Sequence, residues 1–293
     1  MFKQSPLFLL LGTGAMLGLN FPIGKLALAH GINPALWAAI ISVGAGLAML
    51  AIANWATKPL GIREGKILKF ALISGVLSYV MPNLLTFIVI PQIGSGLAAV
   101  MFALSPVATA VLSILLRVRP PNSVGIIGIF LGLIGALMIV FGREKGLDSN
   151  GLVWILLAML IPIFLAFGNV YRTSAWPNGA SPNTLAAYTN LAAVPFLLIV
   201  FVLTGFDLKP ITGMLGLIAT QIIVSTTMFL MFFRLQQIGG PTYLSQIGYV
   251  AAAVGLLIGV VWLNESYPIL VWFGAGVVAL GVAVSTWSRK RIA

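Results

Sequence analysis

Charge is what this 293-residue sequence has least of. Asp, Glu, Lys and Arg make up 7% of it, there are only five acidic residues and one histidine, and cysteine is absent. A soluble domain clothes its surface with about a quarter charged residues, so so few exclude a soluble globular chain. Without cysteine there are no disulfides, thiolate nucleophiles or zinc–thiolate sites. All five acids, Glu64, Glu144, Asp148, Asp207 and Glu265, fall in loops or at the ends of apolar runs. That leaves no paired aspartates for a magnesium–diphosphate site and no zinc-binding cluster. His30 stands at the end of the first apolar run, too far out to activate a buried serine. An enzyme is therefore not expected, nor is any metal or cofactor.

What is present is apolar: 60% of the residues are hydrophobic and the mean hydropathy is +1.11. Ten apolar runs, at roughly 7–29, 34–56, 68–90, 94–116, 123–141, 151–171, 183–204, 211–233, 241–262 and 268–287, each have about the 20 residues that cross a bilayer. The expected fold class is an all-α polytopic membrane protein of ten transmembrane helices. Ala27-Leu28-Ala29 resembles a signal-peptidase site, but the run's length, Lys25 within it and nine further spans favour a retained helix.

The sixteen Lys and Arg give a net charge of +11, and their distribution explains it. With ten spans, twelve basic residues (Lys3, Lys58, Arg63, Lys66, Lys69, Arg117, Arg119, Arg172, Arg234, Arg289, Lys290 and Arg291) share one side with both termini. Arg143, Lys145 and Lys209 occupy the other. The positive-inside rule places both termini in the cytoplasm, as in a bacterial-type inner membrane, with the basic loops against anionic lipid rather than nucleic acid.

Motifs recur along the chain. Gln92-Ile93-Gly94 returns as Gln237-Ile238-Gly239, Phe87 as Phe232, Gly31 and Pro34 as Gly179 and Pro182, and Gly128 and Gly135 as Gly274 and Gly281. Five helices are an odd number, so the second copy sits upside down. The expected domains are a five-helix repeat over 1–146 and an inverted one over 147–293, around a central cavity near the bilayer midplane.

Three stretches carry a family resemblance. Leu19-Asn20-Phe21-Pro22-Ile23-Gly24-Lys25, Gly94-Ser95-Gly96-Leu97-Ala98-Ala99 with Leu104-Ser105-Pro106, and Leu263-Asn264-Glu265-Ser266 before a glycine-spaced last helix resemble motifs of the EamA-type transporters of the drug/metabolite transporter superfamily. Departures are Arg119-Pro120 where the first repeat's closing acid belongs, and Leu19-Asn20 where many relatives carry Trp-Gly. Within the superfamily the chain is most similar to the YddG-like exporters. That resemblance implies alternating-access export of aromatic and other neutral amino acids or related small amphiphilic metabolites. Broader drug or nucleoside-type metabolite transport and lipid scrambling stay open as alternatives. The expected partners are a small-molecule substrate and the bilayer, and a monomer suffices.

Polar side chains deep in the spans are the candidates for contacting such a solute, since an unsatisfied polar group in lipid costs several kcal/mol. Asn20, Tyr79, Asn83, Asn169, Gln246 and Tyr249 combine polarity with bulk and are read as cavity lining, with Met101 and Phe164 as apolar wall. Ser78, Gln221, Ser225 and Ser245 are further polar residues within spans, for which interhelical hydrogen bonding is the competing role. Asn20 and Asn169 stand at similar depths in the two repeats and are read either as a symmetric amide pair or as packing residues. Pro22, Pro82, Pro106 and Pro162 are candidate hinges, because each removes a helix hydrogen bond. The glycines of span five (Gly125, Gly128, Gly132, Gly135) and of span ten (Gly274, Gly276, Gly281) are read as packing faces. Trp37, Trp55, Trp176, Trp262 and Trp287 are read as interfacial anchors. With no carboxylate at mid-membrane, exchange, facilitated transport or coupling through the substrate's own charge is expected over carboxylate-mediated proton antiport.

Overall fold

A computed structural model of the protein describes residues 5–56, 65–141, 149–263 and 268–290. Asn264-Glu265-Ser266 and the basic residues Lys3, Lys58, Arg63, Arg143, Lys145 and Arg291 lie outside the described residues. Every regular element described is helical: α1 (Pro6–Ala29), α2 (Pro34–Ala56), α3 (Gly65–Gly75), a π-helical turn (Val76–Val80), α4 (Met81–Ala103), α5 (Ser105–Leu115), α6 (Ser123–Phe141), α7 (Ser149–Ala158), α8 (Leu160–Ser174), α9 (Pro182–Thr204), a 3-10 turn (Lys209–Gly213), α10 (Leu215–Ser245), α11 (Ile247–Leu263) and α12 (Ile269–Lys290). Six stretches among the described residues are long and apolar enough to cross a membrane, and four shorter apolar ones accompany them: Met101–Leu115, Ser123–Gly135, Ile247–Trp262 and Ile269–Val284. The expected ten uniform spans thus differ from the helices observed, because several spans are broken within their length at Leu104, Met159 and Gln246.

Burial runs opposite to that of a soluble protein. Thr13, Ser42, Ser74, Thr109, Thr189, Asn190 and Gln221 are fully buried, whereas Leu203, Phe141, Leu115 and Val261 are exposed. Apolar surface on this scale is stable only against lipid, so this is a multi-pass membrane protein. Trp262 and Trp287 are exposed, but Trp37 is wholly buried within α2, which corrects its reading as an interfacial anchor. α2 packs along α9.

Two sharp turns are set by glycine. Helical dihedrals are interrupted at Gly94 (φ 81°, ψ 159°) and Gly240 (φ 73°, ψ 178°), where a Cβ is strongly disfavoured. Pro91 and Pro241 sit close to each break, so neither helix has a full set of backbone donors there. The recurring motif pairs Gly94 with Gly239; the backbone instead places the matching turn one residue later, at Gly240. Gly240→Ala is expected to cost about 1–3 kcal/mol through backbone strain, read as a lower thermal midpoint of the purified protein. Gly213→Ala, with open space around the added carbon, leaves the midpoint in place.

Glycine also brings helices together. α1 lies against α10 and α11, α6 against α12, and α8 against α4, α5 and α10. A Cβ on Gly135 would stand 2.5 Å from the Gly274 carbonyl oxygen, and one on Gly281 would stand 2.6 Å from the Gly128 carbonyl oxygen, so the α6 and α12 backbones touch. Gly276 faces open space instead and takes no part in this contact.

Candidate functional site

The site begins with Pro82. Its ring nitrogen has no hydrogen to donate to the Ser78 carbonyl, and the preceding turn widens, with the Met81 amide donating to the Val76 carbonyl five residues back. The wide turn carries Ser78 and Tyr79 into a cavity of about 570 Å3, its open mouth included. Pro82 and Asn83 of α4 continue this wall, and Leu165 and Asn169 of α8 form the next. Leu17 of α1, Phe102 at the end of α4, and Met228, Phe229 and Phe232 of α10 supply an apolar, largely aromatic face. Two helix starts complete the lining: Ser105 opens α5, and Ile247 and Gly248 open α11 just after Ser245.

Of the residues predicted from the sequence, Tyr79, Asn83 and Asn169 come together in this lining. Others lie elsewhere. Asn20 bridges α1 and α10: its side-chain oxygen accepts hydrogen bonds from Gln221 and from Ser225 (3.0 Å), and its amide nitrogen donates to the Met16 carbonyl (2.9 Å). The two asparagines therefore do not form a symmetric pair. Tyr249 is fully buried at the contact of α11 with α6, its hydroxyl donating to the Ile129 carbonyl at 2.9 Å and its ring beside Gly132. Met101 is buried in the helical core, Phe164 is half-buried beside the lining residue Leu165, and Gln246 is buried between the lining residues Ser245 and Ile247. Pro22 lies within α1, whereas Pro106 and Pro162 stand near the starts of α5 and α8. Each of the latter two follows a one-residue break within its span, at Leu104 and at Met159, where a residue without an N–H interrupts the helical bonding.

The largest departure from the sequence reading is Arg172, counted among the basic residues of a cytoplasmic loop. Span six continues through it: α8 ends only at Ser174, and Arg172 has no solvent exposure. Its guanidinium donates to Ser78 Oγ, to Asn169 Oδ1 at 2.7 Å and to Gln236 Oε1 at 3.3 Å, and lies 4.8 Å from the centroid of the Phe232 ring. Gln236 is held in turn by donating to the Asn169 carbonyl (3.1 Å) and to Thr173 Oγ1. Ser78, Asn169 and Phe232 all line the cavity, so the charge sits directly behind its wall. The available signal was the spacing: residue 172 lies three after Asn169 and so shares its helix face.

Tyr79 is 2% exposed, with the Asn190 side chain of α9 beside its hydroxyl. Gln246 Oε1, buried behind the lining, has no hydrogen-bond partner. Among the described residues no group of His, Cys, Asp or Glu could hold a metal ion. The arrangement suits recognition of a small solute through polar groups and rings.

Comparison with known proteins agrees with this architecture. A crystal structure 17% identical in sequence superposes with a TM-score of 0.72, over 95% of this chain and 97% of that one, and so shares its fold. No curated protein sequence matches the chain. A sequence profile of the EamA-like transporter family matches it twice, over residues 4–141 and 152–287. The chain therefore belongs to the EamA-like transporter family, whose members are membrane transporters and not enzymes.

Proposed function

We propose that the protein is an alternating-access exporter of small amphiphilic metabolites, with aromatic and other neutral amino acids as its leading substrates. The observation that carries this reading is the cavity, walled by polar groups and aromatic rings from both segments that match the family. Aromatic side chains meet Phe102, Phe229 and Phe232, while the polar end of an amino acid meets Ser78, Tyr79 and Asn169.

Alternating access requires two halves that exchange roles, and an inverted pair of five-helix repeats, 1–146 and 147–293, supplies them. Supporting this, the contact of α6 with α12 is reciprocal. Gly128 and Gly135 recur 146 residues later as Gly274 and Gly281, and Gly135 meets Gly274 just as Gly281 meets Gly128. Such self-complementary contact is the mark of a two-fold axis. Positive φ at Gly31 and Gly179, and at Gly94 and Gly240, follows the same correspondence. The basic residues of the loops support a cytoplasmic position for both termini in a bacterial-type inner membrane.

Liposomes containing the purified protein and loaded with unlabelled phenylalanine are expected to accumulate labelled phenylalanine by counterflow with no ion gradient imposed. Absence of counterflow from folded protein, for phenylalanine, tryptophan and threonine alike, removes the amino-acid reading. Lipid scrambling by the same liposomes would replace it.

A further inference from the structure

We propose that the wall formed by Ser78, Tyr79 and Asn169, with Arg172 behind it, is a carboxylate-binding subsite, so that the substrate must carry a carboxylate. This deepens the reading of the cavity as the substrate site and rests on it.

A guanidinium buried in a membrane protein is strongly disfavoured unless paired, and Arg172 makes all its hydrogen bonds to neutral groups. Asp207, the sole carboxylate among the described residues, instead accepts from the Lys209 amide in an exposed loop.

Joining the helices does not require this charge, because the other half of the molecule makes the corresponding link without one. Ser225 follows Ser78 by 147 residues and Gly168 follows Asn20 by 148. Ser225 is tied to Asn20 by neutral hydrogen bonds, with Gln221 completing the cluster. At the matching place Ser78 faces Gly168, whose missing side chain leaves the room that the Arg172 guanidinium reaches into. Arg172 itself corresponds to Gly24, which packs on Phe87 as Arg172 does on Phe232. Only one of the two links carries a cation, and it adjoins the cavity.

The wall is also short of an acceptor. Ser78 Oγ accepts from Arg172, which leaves its own O–H free to donate toward the cavity that it lines. A hydroxyl donor with a cation directly behind it suits a compact anion. Arg172 acts through Ser78 and Asn169 as a positioning and polarising residue.

The test uses matched probes in which an amide replaces the acid: 3-phenylpropionate against 3-phenylpropanamide, and phenylalanine against phenylalaninamide. Binding to the purified full chain is read by thermal shift and titration at pH 7. The wild-type protein is expected to prefer each acid by about tenfold or more, the effect of one charge-assisted hydrogen bond. Arg172→Gln is expected to bring the acids down to the affinity of the amides, and Arg172→Lys to restore part of the preference. Should Arg172→Gln fail to fold, Ser78→Ala, which removes a donor and leaves Arg172 on Asn169 and Gln236, is expected to reduce the same preference severalfold. Equal binding of acid and amide, a preference that survives in both variants, or no binding by either member of the pairs overturns the subsite. Counterflow separates the two readings. Equal exchange of phenylalanine and its amide keeps the carrier and removes the subsite, whereas binding of 3-phenylpropionate without amino-acid counterflow keeps the subsite and removes the amino acids.

Discussion

Gly281→Leu is expected to separate α6 from α12 and lower the protein's stability by about 3 kcal/mol, the upper end of what overpacking ordinarily costs. The reason lies in what the side chain would meet. A Cβ at this position falls 2.6 Å from the Gly128 carbonyl oxygen and from the Gly132 amide nitrogen, which are backbone atoms that no rotamer change moves aside. Gly276→Leu, five residues earlier on the same helix, adds the same apolar bulk into open space and is expected to leave the thermal midpoint within experimental error. Comparing the two variants by thermal unfolding in one detergent removes differences in hydrophobicity and helix propensity. Equal destabilisation would mean that the loss comes from glycine's backbone and not from the interhelical contact.

The second large effect is expected from Asn169→Asp, which changes one atom of the side chain and reverses the logic of the site. Asn169 Oδ1 already accepts from Arg172 at 2.7 Å, so a carboxylate in its place gives the buried cation a counter-ion without moving either helix. The unfavourable burial of an unpaired charge is relieved, and the thermal midpoint is expected to rise. Transport is expected to fall at least about tenfold, because Arg172 is then neutralised from within and attracts no substrate carboxylate. Midpoint and counterflow are measured on one preparation. A midpoint and a transport rate that fall together would make Asn169 a packing residue. A packing defect lowers stability together with function, so the opposite signs carry the information.

Much of the architecture was legible before any coordinates. An apolar run of about 20 residues has few options in water or lipid, so the spans and the membrane location follow from composition and length. The spacing of Gly128 and Gly135 and of Gly274 and Gly281 announced close packing, because only glycine lets backbones touch. Tyr79, Asn83 and Asn169 were also marked in advance, since bulky polar groups deep in apolar helices need a reason to be there.

Helix rotation was not legible, and it decided the rest. When every face of a helix is apolar, periodicity does not say which face turns inward. Asn20 and Asn169 are at similar depth, yet one bridges α1 to α10 and the other lines the cavity. Tyr249, as polar and as deep as Tyr79, points its hydroxyl at a neighbouring carbonyl.

Arg172 shows the limit most sharply. At the end of an apolar run a basic residue reads as the first residue of a cytoplasmic loop, because solvation of the charge is the cheapest outcome for an isolated helix. Only the packing of α8 against the turn holding Ser78 and against α10 encloses it and supplies the neutral acceptors that make its burial tolerable. The sequence by itself determined that this chain crosses a membrane in several apolar segments. The tertiary structure decided which polar groups meet, because a contact between residues far apart in the chain depends on how neighbouring helices are turned, and no local pattern records that.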